Sequence, residues 1–284
     1  MAMHASHMTD ATRRTPRTPS FLNRRGGRVA YEVSGQGPLV LLVPGMGDLR
    51  ATYRMLAPRL VAAGYRVALT DLRGHGDSDP TFDAYGDLET AGDIVALIEA
   101  LGAPAVVIGN SMGAGAAVCA AAERPELIRG LVLLGPFVRE HDMGALTKAI
   151  LRVALAAPWA AATWKMYLPR LYAGGTAEDH DQYVSTVVAS LRRPGYARAF
   201  SRTTRLSHAP AEARLSQVTA PTLVLMGEQD PDFPDPQAEA DWIAEAVHGR
   251  AVMVPEAGHY PQSQQPDMVA TAVVDFLAEV GRRG

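Results

Sequence analysis

The sequence lacks the features that define several large classes of protein. Its 284 residues include one cysteine, which excludes an internal disulfide and favours the reducing cytoplasm as the location. It has no run of about 18 apolar residues, so a membrane-spanning helix is not expected. The net charge of −3 argues against nucleic acid as the main partner. The sequence does not indicate an oligomeric state.

Motifs for metals and nucleotides are missing as well. The chain has no spaced cluster of His, Cys and carboxylate residues, and no glycine-rich phosphate-binding loop follows a strand. We therefore expect neither a metal nor a cofactor. What the chain does have is a large apolar fraction, 48% of its residues, which is enough for a sizeable core.

Strand-like and helix-like segments alternate along most of the chain. The strand-like runs lie at 28–33, 39–43, 66–70, 105–109 and 131–134, and the helix-like segments lie around 51–62, 87–101 and 112–123. This alternation predicts an α/β fold, with a mostly parallel, twisted sheet of about eight strands and helices on both faces. Residues 21–33 are predicted to form an antiparallel hairpin at the sheet edge.

The most informative motif is Gly-x-Ser-x-Gly at residues 109–113, which has an apolar run before it and a run of small residues after it. A strand that turns sharply into a helix at this motif strains the serine backbone and exposes its hydroxyl. The start of the helix then presents backbone N–H groups to whatever the serine attacks. We interpret Ser111 as a nucleophile and the N–H of Met112 as an oxyanion donor.

A serine nucleophile needs a base, and the base needs an orienting acid. His259 follows a short late strand, and Asp230 follows the apolar strand about thirty residues earlier. Parallel strand ends meet at one edge of a sheet, so Ser111, Asp230 and His259 are predicted to form a triad in that chain order. Four other acidic residues remain as alternatives for the acid: Asp232, Asp235, Glu140 and Asp142.

The alternation of strands and helices stops after Pro136. Helix-like stretches follow near 143–157, 159–171, 177–192 and 195–206. We predict a helical lid at 138–214, inserted after the sixth strand, with the core at 21–137 and 215–284. Residues 1–20 are interpreted as a disordered tail that contains a tag remnant.

The predicted lid contains apolar side chains that could form the roof of a substrate pocket. The sequence places four of them there: Trp159, Trp164, Met166 and Tyr167. The alternative is that these side chains pack the lid helices against one another.

Five motifs in this order resemble the α/β-hydrolase superfamily, of the lidded serine esterase or haloperoxidase-like type. They are LLVPGMG at 41–47, DLRGHGDS at 71–78, GNSMG at 109–113, GEQD at 227–230 and GH at 258–259. The resemblance covers nearly all of the chain from about residue 28. It implies that the N–H of Met46 is the second oxyanion donor, although Pro44 stands where the superfamily commonly has histidine.

The expected activity is that of a carboxylesterase acting on a small to medium, fairly apolar ester. The superfamily uses the same triad in lactonases, C–C bond hydrolases, perhydrolases and acyltransferases, and pocket shape decides between them. The alternative to an enzyme is a ligand receptor that retains a vestigial triad. The expected partner is a small ester-like molecule.

Overall fold

Eight strands form one sheet in the computed structural model, which describes residues 18–140 and 144–283. The strands are β1 (Ser20–Arg24), β2 (Gly27–Ser34), β3 (Leu39–Val43), β4 (Arg66–Thr70), β5 (Ala105–Asn110), β6 (Ile128–Leu134), β7 (Thr222–Gly227) and β8 (Arg250–Val254). Their order is β1-β2-β4-β3-β5-β6-β7-β8. The pairs β1–β2 and β2–β4 are antiparallel and all other pairs are parallel, so the predicted mostly parallel sheet and its edge hairpin are confirmed.

Helices surround the sheet and also fill the long connection between β6 and β7. They are α1 (Leu56–Ala62), α2 (Asp87–Leu101), α3 (Met112–Glu123), α4 (Ala145–Ala154), α5 (Ala160–Leu171), α6 (His180–Leu191), α7 (Tyr196–Thr203), α8 (Ala209–Glu212), α9 (Pro236–Ala246), α10 (Pro261–Gln264) and α11 (Pro266–Arg283). Within the described part of the chain, none of them combines the length and the apolarity that a membrane crossing requires.

The sheet has an apolar core on each face, as the strand period of two requires. In β3, Leu41 belongs to the core that also contains residues of α2, α3 and α9. Its neighbour Leu42 belongs to the core that contains residues of α1 and α11. Because both faces are covered, all five residues of β3 are buried.

Among the elements of the core, two differ clearly from the sequence prediction. The segment 51–62 is divided into a 3₁₀ turn, Arg50–Tyr53, and α1. Strand β6 begins at Ile128 rather than at 131, because the exposed Arg129 and the small Gly130 interrupt its apolar run without ending its pairing with β5.

Helices α4–α8 form a helical insertion between two strands that are neighbours in the sheet. Its apolar side chains, including Trp164 and Tyr183, join a third buried cluster with Leu49 and Tyr260 of the core. The insertion therefore packs on the loops that follow β3 and β8 at the carboxyl ends of these strands. The domain boundaries given above remain a prediction, and residues 1–17 of the predicted tail lie outside the described residues.

Candidate active site

Ser111 lies at the turn between the end of β5 and the start of α3. Its φ of 55° and ψ of −123° are a strained combination for a residue with a side chain. The turn is held by its backbone: the N–H of Ser111 donates to the carbonyl of Leu134 at 3.0 Å, and its carbonyl accepts from Ala114 at 2.9 Å. The strand, turn and helix thus follow one another as the motif predicts, and the strain is retained because both ends are fixed.

The loop after β3, residues 44–49, lies against this turn and is called the β3 loop below. A Cβ atom at Gly45 would come within 2.8 Å of the Cβ of Ser111, so only glycine permits this approach. Met112 is the first residue of α3, and its N–H has no partner inside the helix. Among the described residues, neither this N–H nor that of Met46 donates to a protein acceptor. Two backbone donors are thus unpaired in segments that flank Ser111.

His259 and Asp230 form a buried pair at the ends of β8 and β7. The Nδ1 atom of His259 lies 2.8 Å from Oδ2 of Asp230, and each residue is 2% exposed. A second carboxylate, Asp232, lies 3.8 Å from the same nitrogen. Burial alone would lower the pKa of His259, but the charges of the two carboxylates more than offset it and raise that pKa above 6.5. The Nδ1 atom is therefore held as a donor to Asp230.

Two residues connect the Ser111 turn to His259, and the sequence analysis predicted no role for either of them. The side-chain amide of Asn110 donates to the backbone carbonyl of His259 at 3.1 Å and to that of Leu134 at 2.9 Å. The ring of Phe137 lies edge-on to the imidazole, with centroids 5.7 Å apart. The N–H of Phe137 also donates to the carbonyl of Ser111 at 3.3 Å. The nucleophile turn and the histidine loop are thus bound to each other.

The structure separates Asp230 from the other candidate acids. Asp232 is half-buried and accepts a hydrogen bond from the hydroxyl of Tyr167 at 2.5 Å. Asp235 is exposed and caps α9 through the N–H of Ala238. Glu140 is exposed and accepts from the N–H of His208 at 2.7 Å. Asp142 lies outside the described residues.

The four apolar residues predicted for the pocket divide into two pairs: the rings of Trp164 and Tyr167 lie 5.7 Å apart, whereas Met166 and Trp159 are largely exposed. Trp164 is buried and its ring lies 5.2 Å from that of Phe200. Tyr167 reaches the triad loop through the hydrogen bond to Asp232 described above. Met166 and Trp159 are 75% and 48% exposed. Residues two apart on a helix differ by about 200°, so Met166 projects away from the face that carries Trp164.

His75 lies outside the predicted triad but is part of the same region. Its Nε2 accepts from the N–H of Gly47 at 3.0 Å, and its Nδ1 lies 2.9 Å from the carbonyl of Arg73. Burial lowers the pKa of His75 to about 4, so the ring stays neutral and can accept this N–H. The RGHG sequence at 73–76 was the available signal for this role.

Asp230, Asp232 and His259 also have ligand-type atoms within 4.8 Å of one another, a spacing that a metal ion could bridge. A metal would have to replace the proton that Nδ1 of His259 donates to Asp230. The hydrogen-bonded pair satisfies both groups without an ion. The expectation of no metal stays a prediction.

The order and direction of the strands, with helices on both faces of the sheet, define an α/β-hydrolase fold. A profile of the alpha/beta hydrolase family matches residues 40–272, and the chain belongs to this family. The chain is similar to 2-(acetamidomethylene)succinate hydrolase of Mesorhizobium japonicum, with 28% identity over 90% of this chain and 95% of the relative. It is also similar to 2-hydroxy-6-oxo-6-phenylhexa-2,4-dienoate hydrolase of Burkholderia cepacia. The identity is 28%, and the alignment covers 95% of this chain and 99% of that relative.

The solved structures that resemble this one share the fold at low sequence identity. A thermophilic esterase from Thermogutta terrifontis, solved with malate bound, has a TM-score of 0.73 and 24% identity. The alignment covers 93% of this chain and 99% of the esterase. This likeness supports the architecture alone.

Proposed function

We propose that the protein is a serine carboxylesterase that cleaves a small to medium, fairly apolar ester through an acyl-enzyme. One observation carries the proposal. The buried pair of His259 and Asp230, 2.8 Å apart, is bound through Asn110 to the strained turn that bears Ser111. Acyl transfer requires a nucleophile, a base and an orienting acid, and this connection supports those roles for Ser111, His259 and Asp230.

Each triad residue has one role in the proposed reaction. Oγ of Ser111 attacks the ester carbonyl while Nε2 of His259 accepts its proton. Collapse of the tetrahedral adduct expels the alcohol, which takes that proton, and leaves an acyl group on Ser111. Water then attacks the acyl-enzyme with His259 again as the base, which releases the acid. Asp230 keeps the Nδ1 proton in place and stabilises the imidazolium.

The negative charge on the carbonyl oxygen needs donors that are already in position. In our proposal these are the backbone N–H groups of Met46 and Met112. The first is in the β3 loop and the second is at the start of α3, where the helix dipole adds partial positive charge. Backbone donors do not need the histidine that the superfamily commonly has at Pro44.

The helical insertion acts as the lid in this proposal. Trp164 donates a hydrogen bond to the β3 loop and Tyr167 donates one to Asp232. We assign the pocket roof to their side of α5. Met166 and Trp159, which are largely exposed, are not assigned to it. The proposed cellular location is the cytoplasm, supported by the single, buried Cys119.

A labelling experiment tests the chemistry and a substrate panel tests the bond. A fluorophosphonate probe should label the wild-type protein and not Ser111→Ala, and p-nitrophenyl acetate should turn over repeatedly. A single burst without turnover would favour a receptor with a vestigial triad. No labelling at Ser111 would end the serine-hydrolase proposal.

The second candidate is cleavage of a carbon–carbon bond in a dienoate. It is favoured by the similarity to the Burkholderia cepacia enzyme, which extends over nearly the whole of both chains. The panel should therefore contain p-nitrophenyl esters from acetate to palmitate, lactones and the dienoate named for that relative. Faster turnover of the dienoate than of any ester would replace the esterase proposal with this one.

A further inference from the structure

Both backbone polar groups of Gly47 in the β3 loop are bound by buried side chains. The carbonyl accepts from the indole Nε1 of Trp164 at 2.8 Å, and the N–H donates to His75 as described above. His75 belongs to the core, whereas Trp164 belongs to α5 of the insertion. The peptide groups immediately after Met46 are therefore held from two sides.

The next residue, Asp48, is held by the insertion as well. Its Oδ1 accepts from the hydroxyl of Tyr183, which lies on α6, and from the N–H of Leu49 at 2.8 Å. Asp48 is 1% exposed, and burial raises its pKa to about 6. A buried carboxylate depends on the few donors that reach it, so the Tyr183 hydroxyl constrains where Asp48 can lie.

The loop has no room to move toward the insertion. Gly47 has a φ of 74°, and a Cβ atom there would lie 2.5 Å from Cε2 of Trp164 and 2.8 Å from Cε2 of Phe200. The close approach brings the Gly47 carbonyl into hydrogen-bonding distance of the indole. A shift of α5 would therefore be transmitted directly to the β3 loop.

We propose that Trp164 and Tyr183 are positioning residues that hold the β3 loop, and with it the N–H of Met46, in the geometry that binds the oxyanion. The inference rests on the proposed function, since it assigns these residues a part in that reaction. Neither residue contacts the reacting atoms in this role; both act through the loop. The insertion thereby completes the active site as well as covering it.

The inference separates two possible roles of Trp164. If Trp164 were only a wall of the substrate pocket, its alteration would change KM and leave kcat intact. A positioning residue acts on the transition state, so its alteration lowers kcat and leaves KM nearly unchanged. A displacement of about 1 Å in a catalytic group can cost about a hundredfold in rate.

The test uses two deletions of single hydrogen-bond donors and two matched controls. Trp164→Phe removes the indole N–H and keeps an aromatic ring, and Tyr183→Phe removes one hydroxyl. Trp242→Phe on α9 and Tyr85→Phe in the loop before α2 make the same chemical changes away from the β3 loop. Each protein is assayed for kcat and KM with p-nitrophenyl butyrate and for its melting temperature.

Two inhibitors separate transition-state binding from ground-state binding. A trifluoromethyl ketone adds Ser111 at its carbonyl and places an oxyanion in the hole, whereas the matching secondary alcohol cannot. We expect kcat to fall about ten- to hundredfold in Trp164→Phe and Tyr183→Phe. The affinity for the ketone should fall in parallel. KM and alcohol binding should change by less than about twofold in Tyr183→Phe, which is outside the proposed roof, and by less than kcat in Trp164→Phe, and both controls should match the wild type.

Three results would overturn the inference. The first is a lower melting temperature with unchanged kcat, which means packing only. The second is a raised KM with unchanged kcat, which means a pocket wall. The third is an equal loss of kcat in the controls. Should Trp164→Phe fail to fold, Tyr183→Phe decides alone. If the wild-type protein is not labelled by the fluorophosphonate, the proposed function and the inference fail together; if it is labelled and turns over while the variants match it, the inference fails alone.

Discussion

Replacement of Asp232 by Asn should shift the pH dependence of turnover and leave the maximal rate largely intact. His259 must be neutral to accept the proton of Ser111, so kcat/KM rises with pH through the pKa of His259. The negative charge of Asp232 favours the protonated imidazole and moves this limb to higher pH. Its removal should move the limb to lower pH.

The size of the shift follows from the distance between the two groups. At the 3.8 Å between Nδ1 of His259 and Oδ2 of Asp232, a pair of unit charges interacts by about 1 kcal/mol in bulk water and about 4 kcal/mol at an effective dielectric constant of 20. These energies correspond to about one to three pKa units. The asparagine side chain in Asp232→Asn retains a carbonyl oxygen that can accept from Tyr167, so the hydrogen bond of Tyr167 need not be lost.

The assay measures kcat/KM for a soluble butyrate ester between about pH 5 and pH 10. Turnover is monitored by titration of the released acid. Asp235→Asn is the control, because it removes a carboxylate from the same loop while the asparagine side chain still caps α9.

Asp230→Asn should instead lower kcat by about 10⁴ at every pH, through loss of the correct tautomer of His259. An acidic limb in Asp232→Asn that coincides with the wild-type limb would refute the electrostatic reasoning. Loss of turnover in Asp232→Asn with retention in Asp230→Asn would reverse the assignment of the acid.

Three further predictions address the triad, the pocket and stability. Ser111→Ala and His259→Ala should each lose about 10⁶ in kcat, and the double variant should be hardly slower, because the triad acts as a unit; a tenth of the wild-type activity in purified Ser111→Ala would contradict this. Over the first few acyl carbons, each buried CH₂ should stabilise the transition state by about 0.8 kcal/mol and so raise kcat/KM, which should then fall once the pocket is full. Strong activity on emulsified long-chain triglyceride with little on soluble esters would contradict this prediction. Because burial holds the pKa of His75 at about 4, the unfolded chain binds a proton between pH 6.5 and 4 that the folded protein does not, so the free energy of unfolding should fall by up to about 3 kcal/mol across this range. Urea unfolding at both pH values should show a smaller fall in His75→Gln, and an equal fall would exclude His75 as the cause.

The parts of the site that depend on local sequence could be predicted. The turn at Ser111 follows from a strand, a glycine-flanked serine and a run of small residues, all within a few positions. The pairing of Asp230 with His259 follows from the position of β7 beside β8, since each residue lies in the loop that follows its strand. Parallel neighbours bring their carboxyl ends together, so the order of the strands brings this acidic loop to His259, while the choice of Asp230 over Asp232 and Asp235 needed the structure.

The parts that depend on packing between distant segments could not be predicted. Trp164, Met166 and Tyr167 lie in one apolar stretch, and the sequence grouped them as one roof. The hydrogen bond from Trp164 to Gly47 depends on how α5 is rotated and seated on the β3 loop, which no local pattern specifies. The contact of Asp232 with Tyr167 has the same origin, because it joins an acidic loop of the core to a helix of the insertion.

The neighbouring positions of β6 and β7 also bear on how the sequence between them can vary. The two strands pair from Leu131 with Thr222 to Leu134 with Leu225, although α4–α8 lie between them in the chain. The ends of the insertion are thus fixed side by side by the sheet itself. Each doubling of the length of such a connection costs only about 0.6 kcal/mol of closure entropy. Residues can therefore be added to or removed from the connections between the helices of the insertion at little cost in closure entropy, provided that the helices that pack on Leu49 and Tyr260 and donate to Gly47 and Asp48 are kept.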